Sequence, residues 1–153
     1  IVGPWYKCNM TDIMAAIGLV QLQRYDSLLQ KRRNIIRRYD EMCNELGVMH
    51  LNHYTESSSS SGHLYLTRVP GISDEQRRDI IIKLAEMGVS TNVHYKPLPM
   101  MSAYKKMGWD IKDFPNAYAY YENLITLPLH TKLSDEMVDY VIKCFKKVIK
   151  EYI

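Results

Sequence analysis

Apolar positions follow three rhythms along this chain. From Ile13 to Leu22 they are almost continuous, with Gln21 the single polar side chain in IMAAIGLVQL. Thr11 and Asp12 stand where caps of a helix would stand, so the stretch is predicted to be helical. A helix that is apolar on every side is normally buried on every side. A chain that opens on such a helix at Ile1, without a Met, is therefore expected to be a fragment, or to have this helix covered by another chain.

The second rhythm is helical and one-sided. Leu28, Ile35, Tyr39, Met42 and Leu46 fall on one stripe, with Leu29, Ile36 and Cys43 beside it. They predict a helix from Asp26 to Leu46, ended by Gly47 as a C′ glycine. Ser73-Asp-Glu-Gln76 is a capping box opening a helix from Asp74 to Met87, stopped at Gly88, with Ile80, Ile81, Leu84 and Met87 inward. Ser134 caps a last helix whose inward stripe is Val138, Val141, Ile142, Phe145, Val148 and Tyr152. Asp135 and Glu136 sit in its first turn, where the helix dipole favours anions. Short helices are predicted over Ser102–Met107 and Pro115–Asn123.

The third rhythm is that of strands. HLYLTRV, His63–Val69, reads as one, with Leu64, Leu66 and Arg68 on one face. VSTNVHY, Val89–Tyr95, reads as another, closed by Pro97 and Pro99, and NLITLPL, Asn123–Leu129, as a third. ESSSSSG, Glu56–Gly62, is low complexity and is expected to be a mobile loop inside one domain. The order of elements predicts an α+β fold over residues 1–153: a small sheet packed with helices, behind two long N-terminal helices.

Composition narrows the function classes. The 153 residues suffice for one domain with a real core. The net charge of +3 is too mild to argue for nucleic acid. KRRNIIRR, Lys31–Arg38, reads as the solvated face of a helix, because its apolar positions keep helical spacing and Asp26, Asp40 and Glu41 dilute the charge. Three dispersed cysteines with no C-x-x-C argue against a disulfide framework or zinc knuckle, and suit a reducing cytoplasm. The Ile13–Val20 run is too short to span a bilayer. Twelve tyrosines against two phenylalanines suit interfaces and polar ligand sites.

No glycine-rich phosphate loop, zinc-protease motif or serine-nucleophile elbow occurs in the sequence. His50-x-x-His53 has metal-ligand spacing but no third ligand nearby, and is expected to be a solvated loop. TNVHYKPL, Thr91–Leu98, ends a predicted strand in His94, Tyr95 and Lys96 on a proline-fixed exit, a common place for ligand contacts. Lys7, Cys8 and Asn9 precede the first helix, where free backbone N–H groups favour an anion.

Four segments, in order, resemble one family. YKCNMTDIMAAIGLVQLQRYDSLLQKRRNIIRRYDE, HLYLTRV, GVSTNVHYKPLPMMSAYKKMGW and FPNAYAYYENLITLPLHTKLSDEMVDYVI are similar to matching stretches of the DegT/DnrJ/EryC1/StrS aminotransferases. Trp5, Cys8 and Met14 depart from the usual residues at their positions, and the first two, beside the cleft, bear on substrate choice.

The resemblance implies the C-terminal small domain of a fold-type I aminotransferase dependent on pyridoxal phosphate (PLP). The large domain, with the lysine that forms the Schiff base, would be absent, so no catalytic residue is expected here. Lys7 and Lys96 do not occupy the matching motif, and the chain alone is expected to be inactive. The whole protein would transfer an amino group, usually from glutamate, to a nucleotide-linked keto-sugar. It would act as a homodimer through the N-terminal helices, without nucleic acid, membrane or metal. Asn9 would reach the cofactor phosphate of the partner subunit, and Tyr6, Lys7, His94 and Tyr95 would line the sugar-nucleotide side. A non-catalytic binding or dimerisation module of the same fold is the alternative.

Overall fold

A computed structural model describes residues 10–153. Helix α1 (Asp12–Gln23) begins at Thr11, whose side chain accepts the Met14 N–H at 3.3 Å. No residue of α1 is buried: Ile13 is 77% exposed and Leu22 69%. After Arg24 the chain continues as α2 (Tyr25–Leu46), which buries Ile35, Ile36, Tyr39, Met42 and Cys43 on the predicted stripe. Gly47, at φ 66°, closes it in the left-handed conformation that a side chain would resist.

Strands β1 (Met49–His50), β2 (Tyr65–Arg68) and β3 (Leu124–Leu127) form an antiparallel sheet in the order β1-β2-β3. Met49 pairs with Arg68 in the first ladder; Tyr65 pairs with Leu127 and Arg68 with Leu124 in the second. Helices α2, α3 (Asp74–Glu86) and α6 (Asp135–Ile149) cover one face. The core joins Ile36 and Tyr39 of α2, Tyr65 of β2, Ile80 and Leu84 of α3, Ile125 of β3 and Phe145 of α6. The Ser73 capping box forms as expected, the hydroxyl accepting from the Gln76 N–H while the Gln76 side chain accepts the Ser73 N–H. Two short helices, α4 (Ser102–Lys106) and α5 (Pro115–Tyr121), build a lobe between α3 and β3.

Two expectations are corrected. On β2 the buried side chains are Tyr65 and Thr67, followed by Val69, so Leu64, Leu66 and Arg68 take the more open face. The helices pack against the tyrosine side, while Arg68 uses the other to stack on Tyr120 and donate to Asn123 and the Ala119 carbonyl. The 89–95 segment is not a strand. It touches β3 through a single antiparallel bridge, Asn92 to Thr126. The Asn92 side chain then accepts the Val93 N–H at 2.7 Å, which takes that donor from any ladder.

The serine-rich stretch is a loop, as expected, and it folds back on itself. Tyr54 bridges to Ser59, and the Thr55 hydroxyl accepts the Ser57 and Ser58 N–H groups. Gly62 ends this turn at φ 67°, where an added Cβ would lie 2.8 Å from Ile36 Cδ1. Its carbonyl accepts from Arg32 at 2.6 Å, tying the turn to α2.

Candidate functional site

The segment carrying His94 and Tyr95 is fixed from β3. Asn92 and Thr126 exchange both backbone bonds, at 3.1 and 2.7 Å. Two residues on, His94 Nδ1 lies 3.0 Å from the Thr126 hydroxyl. The ring is half-buried and meets Tyr95 edge to face, with centroids 4.7 Å apart. Tyr95 itself is 70% exposed, so its ring and hydroxyl face outward. A single 3-10 turn, Leu98–Met100, follows Pro97 and carries the chain away from the sheet.

Beside His94 lies a cleft of about 180 Å³ lined by His63, Ser90, Thr91, Asn92 and Thr126 among others. Its polar side chains are neutral hydroxyls, an amide and imidazoles. Such groups give and accept hydrogen bonds with hydroxyl and keto oxygens, and supply no fixed charge for a phosphate. Thr91 Oγ1 is buried there without a partner among the described residues. The structure brings Thr126 and His63, neither of which the sequence singles out, to the cleft beside His94. Thr126 looked like an ordinary strand residue, and only the pairing of 92 with 126 brings its hydroxyl to the imidazole.

Tyr6, Lys7 and Asn9 lie outside the described residues. The start of α1, which they precede, is described, and its first-turn N–H groups have no intrahelical acceptor apart from the bonds to Thr11.

His50 and His53 do not lie in a solvated loop: His50 is half-buried in β1 and His53 is buried. Among the described residues, no three of His, Cys, Asp and Glu are grouped to hold a metal ion. Both rings lie nearly parallel to Tyr65, His50 at 6.2 Å and His53 at 5.7 Å. His50 Nδ1 sits 3.1 Å from Asp40, which also accepts the Tyr65 hydroxyl at 2.6 Å. Burial pushes the Cys43 thiol up to about 12, a bond from Tyr65 opposing this, so it is a packing group and not a nucleophile.

His53 is buried, and its Nε2 has no partner among the described residues. Burial lowers its pKa below the ordinary histidine value, with the Asp40 charge pulling the other way. The fold therefore prefers the neutral ring. Its contribution is complete above the unfolded pKa of about 6.5 and is lost as pH falls through that value, because the unfolded chain takes up the proton first. Urea midpoints measured from pH 7.5 down to 5 are expected to fall, and His53→Phe is expected to flatten the slope. An unchanged slope in His53→Phe would place the acid sensitivity elsewhere.

Comparison with known proteins places these features in a wider frame. The model of the DegT/DnrJ/EryC1/StrS aminotransferase family matches residues 3–146, and that family uses PLP. The spore coat polysaccharide biosynthesis protein SpsC of Bacillus subtilis (strain 168) is 33% identical over 157 residues, covering 98% of this chain and 39% of SpsC. The structure titled "Putative sugar aminotransferase Spr1654" from Streptococcus pneumoniae, PLP-form, is 57% identical with a TM-score of 0.90, covering 100% of this chain and 39% of that one. The aminotransferase TlmJ from Streptoalloteichus hindustanus is 31% identical with a TM-score of 0.80, covering 93% of this chain and 37% of that one. The chain thus spans about 39% of the length of the relatives it matches.

Proposed function

The chain belongs to the DegT/DnrJ/EryC1/StrS aminotransferase family, and on that premise we propose that the whole protein transfers an amino group, with glutamate as donor, onto the keto group of a nucleotide-linked sugar. This chain is its C-terminal small domain, and the lysine that anchors the cofactor belongs to a large domain outside it. The reading is carried by one observation: similarity over the whole chain, at 57% identity, to a protein described as a sugar aminotransferase in its PLP form. The hydrogen-bonding cleft beside His94 supports it, because a sugar presents hydroxyl and keto oxygens.

PLP, when bound, supplies the electron sink for the exchange of amino and keto groups. The cleft at His94 does not suit its phosphate, since its polar groups carry no fixed charge. The start of α1 does, because free N–H groups there favour an anion. Asn9, just ahead of it, would hold that phosphate in the partner subunit's site, while Tyr6, Lys7, His94 and Tyr95 would face the sugar nucleotide. The exposed apolar side chains of α1 support assembly as a homodimer. Among the described residues no helix is long and apolar enough to cross a membrane, and the protein works in the cytoplasm.

The test is to purify the whole protein and supply PLP, glutamate and a panel of nucleotide-linked keto-sugars. Mass spectrometry should find an amino-sugar nucleotide. His94→Ala should lower kcat/KM for the sugar about 100-fold while leaving cofactor absorbance intact. Turnover of simple keto-acids with no reaction of any nucleotide sugar would sink the reading. The 153-residue chain alone should not transaminate. A single stoichiometric PLP adduct at one of its lysines after borohydride reduction would overturn that part.

The exposure of α1 also favours a second reading, a non-catalytic module that binds a partner through this helix. It predicts a whole protein with no lysine reactive toward PLP.

A further inference from the structure

We propose that Thr126 is the positioning residue for His94: its hydroxyl holds the imidazole as the Nε2–H tautomer, so that the ring donates a hydrogen bond to an oxygen of the sugar in the cleft. The inference rests on the sugar-aminotransferase reading for its ligand, and on local geometry alone for the tautomer.

Thr126 is 4% exposed, inside a strand whose four residues are all buried. Its hydroxyl lies 3.0 Å from His94 Nδ1 and finds no other partner among the described residues. Two arrangements are possible, because a hydroxyl both donates and accepts while a neutral imidazole has one nitrogen of each kind. If Nδ1 carried the proton, the hydroxyl would accept it and its own buried hydrogen would be orphaned. If the hydroxyl donates to Nδ1, that hydrogen is satisfied and only spare lone pairs go unused. Buried donors are rarely left unpaired, so the second arrangement prevails. The ring proton then sits on Nε2.

Nε2 has no protein partner among the described residues and is not one of the buried orphaned atoms. His94 lines the cleft, so this N–H is free for a ligand there, and it suits an acceptor such as a keto or hydroxyl oxygen. Side-chain and backbone contacts reinforce one another. Thr126 also exchanges both backbone bonds with Asn92, so the residue that sets the tautomer also fixes the segment bearing the ring. Free rotation of His94 would otherwise spread the N–H over several directions.

The experiment uses the whole protein with 15N-labelled histidine, at mildly alkaline pH. Two-bond proton–nitrogen correlations of the rings separate the two neutral tautomers, and His94→Gln identifies the His94 signals. Wild type and Thr126→Ser should show the Nε2–H pattern with a hydrogen-bonded Nδ1, while Thr126→Val should shift the Nδ1 signal and admit the other tautomer. An Nδ1–H pattern in wild type, or a Thr126→Val spectrum identical to wild type, overturns the proposal. If Thr126→Val does not fold, the wild-type pattern decides alone. For turnover of a nucleotide-linked keto-sugar, Thr126→Val should lose about 10- to 100-fold in kcat/KM, and Thr126→Ser should stay within about threefold of wild type. Equal losses in both variants would assign Thr126 a packing role and overturn the proposal. A wild-type protein that aminates no nucleotide sugar would refute the proposed function, while the ring tautomer would still decide this inference.

Discussion

Tyr65→Ala is expected to lower the unfolding free energy of the 153-residue chain by about 4 kcal/mol, the largest single effect we foresee. Tyr65 is fully buried at the start of the central strand. Its ring meets Tyr39 edge-on at 5.0 Å and lies nearly parallel to His50 and His53. Truncation would open a cavity bounded by α2, β1 and the 50–54 turn, and these cannot all close on it. The hydroxyl adds a second contribution, since it donates to Asp40 of α2 and touches the Cys43 thiol. Burial and the Cys43 and Asp40 neighbours push its pKa far above the usual phenol range, so it serves as a hydrogen-bond donor and never as an acid. Tyr65→Phe isolates that part and should cost about 1–2 kcal/mol. Urea denaturation followed by far-ultraviolet circular dichroism measures both. A loss below about 2 kcal/mol for Tyr65→Ala would mean that the surrounding rings collapse into the space.

Arg77→Ala should cost about 3 kcal/mol, because it strips a buried cation from partners that remain. Arg77 is 2% exposed on the inner face of α3. One end of its guanidinium donates to the Tyr121 carbonyl at 2.6 Å, where α5 runs out toward β3. The other meets the Asp74 carboxylate in the first turn of its own helix. The group also lies over the Tyr121 ring, 4.3 Å from its centre. Removing it leaves Asp74 with exposed Arg78 as its other cation, and leaves the Tyr121 carbonyl without this donor. Arg77→Lys should recover less than half of the loss, since an ammonium cannot fork to two partners and stack at once. Hydrogen exchange gives a local reading: protection should drop first in α5 and the start of β3. Uniform loss across α2 and α6 would show that Arg77 supports the whole core and not this junction.

These two residues mark where sequence patterning stops. Tyr39 and Ile36 are legible as core because α2 repeats its apolar positions at helical spacing, and period alone fixes which face turns inward. Arg77 sits on the same kind of stripe in α3, but a charged side chain is read as solvated unless its partner is visible. Here the partner lies 44 residues away at Tyr121. On β2 the alternation was clear, but its phase was not. Leu64 and Leu66 look like the inner set, yet the tyrosine side faces the helices. A strand flanked by apolar residues of both parities offers no local signal for which face the layer will cover.

The same boundary runs through the candidate site. His94 and Tyr95 stood out because polar aromatic residues before a proline-fixed turn are legible in one dimension. Thr126 and His63 did not, because their part depends on β3 lying against the 92–94 segment.

The sequence by itself determined the helices, their caps and stops, the α+β class and the family, since each depends on neighbours within a few residues or on motif order. Tertiary structure alone decided the inward face of β2, the reduction of 89–95 to a single bridge, the burial of His53 and Arg77, and the hydroxyl behind His94. His53, Arg77 and His94 meet their partners 12 to 44 residues away in the chain, and at such separations local propensity is silent while packing and hydrogen-bond satisfaction choose the partner.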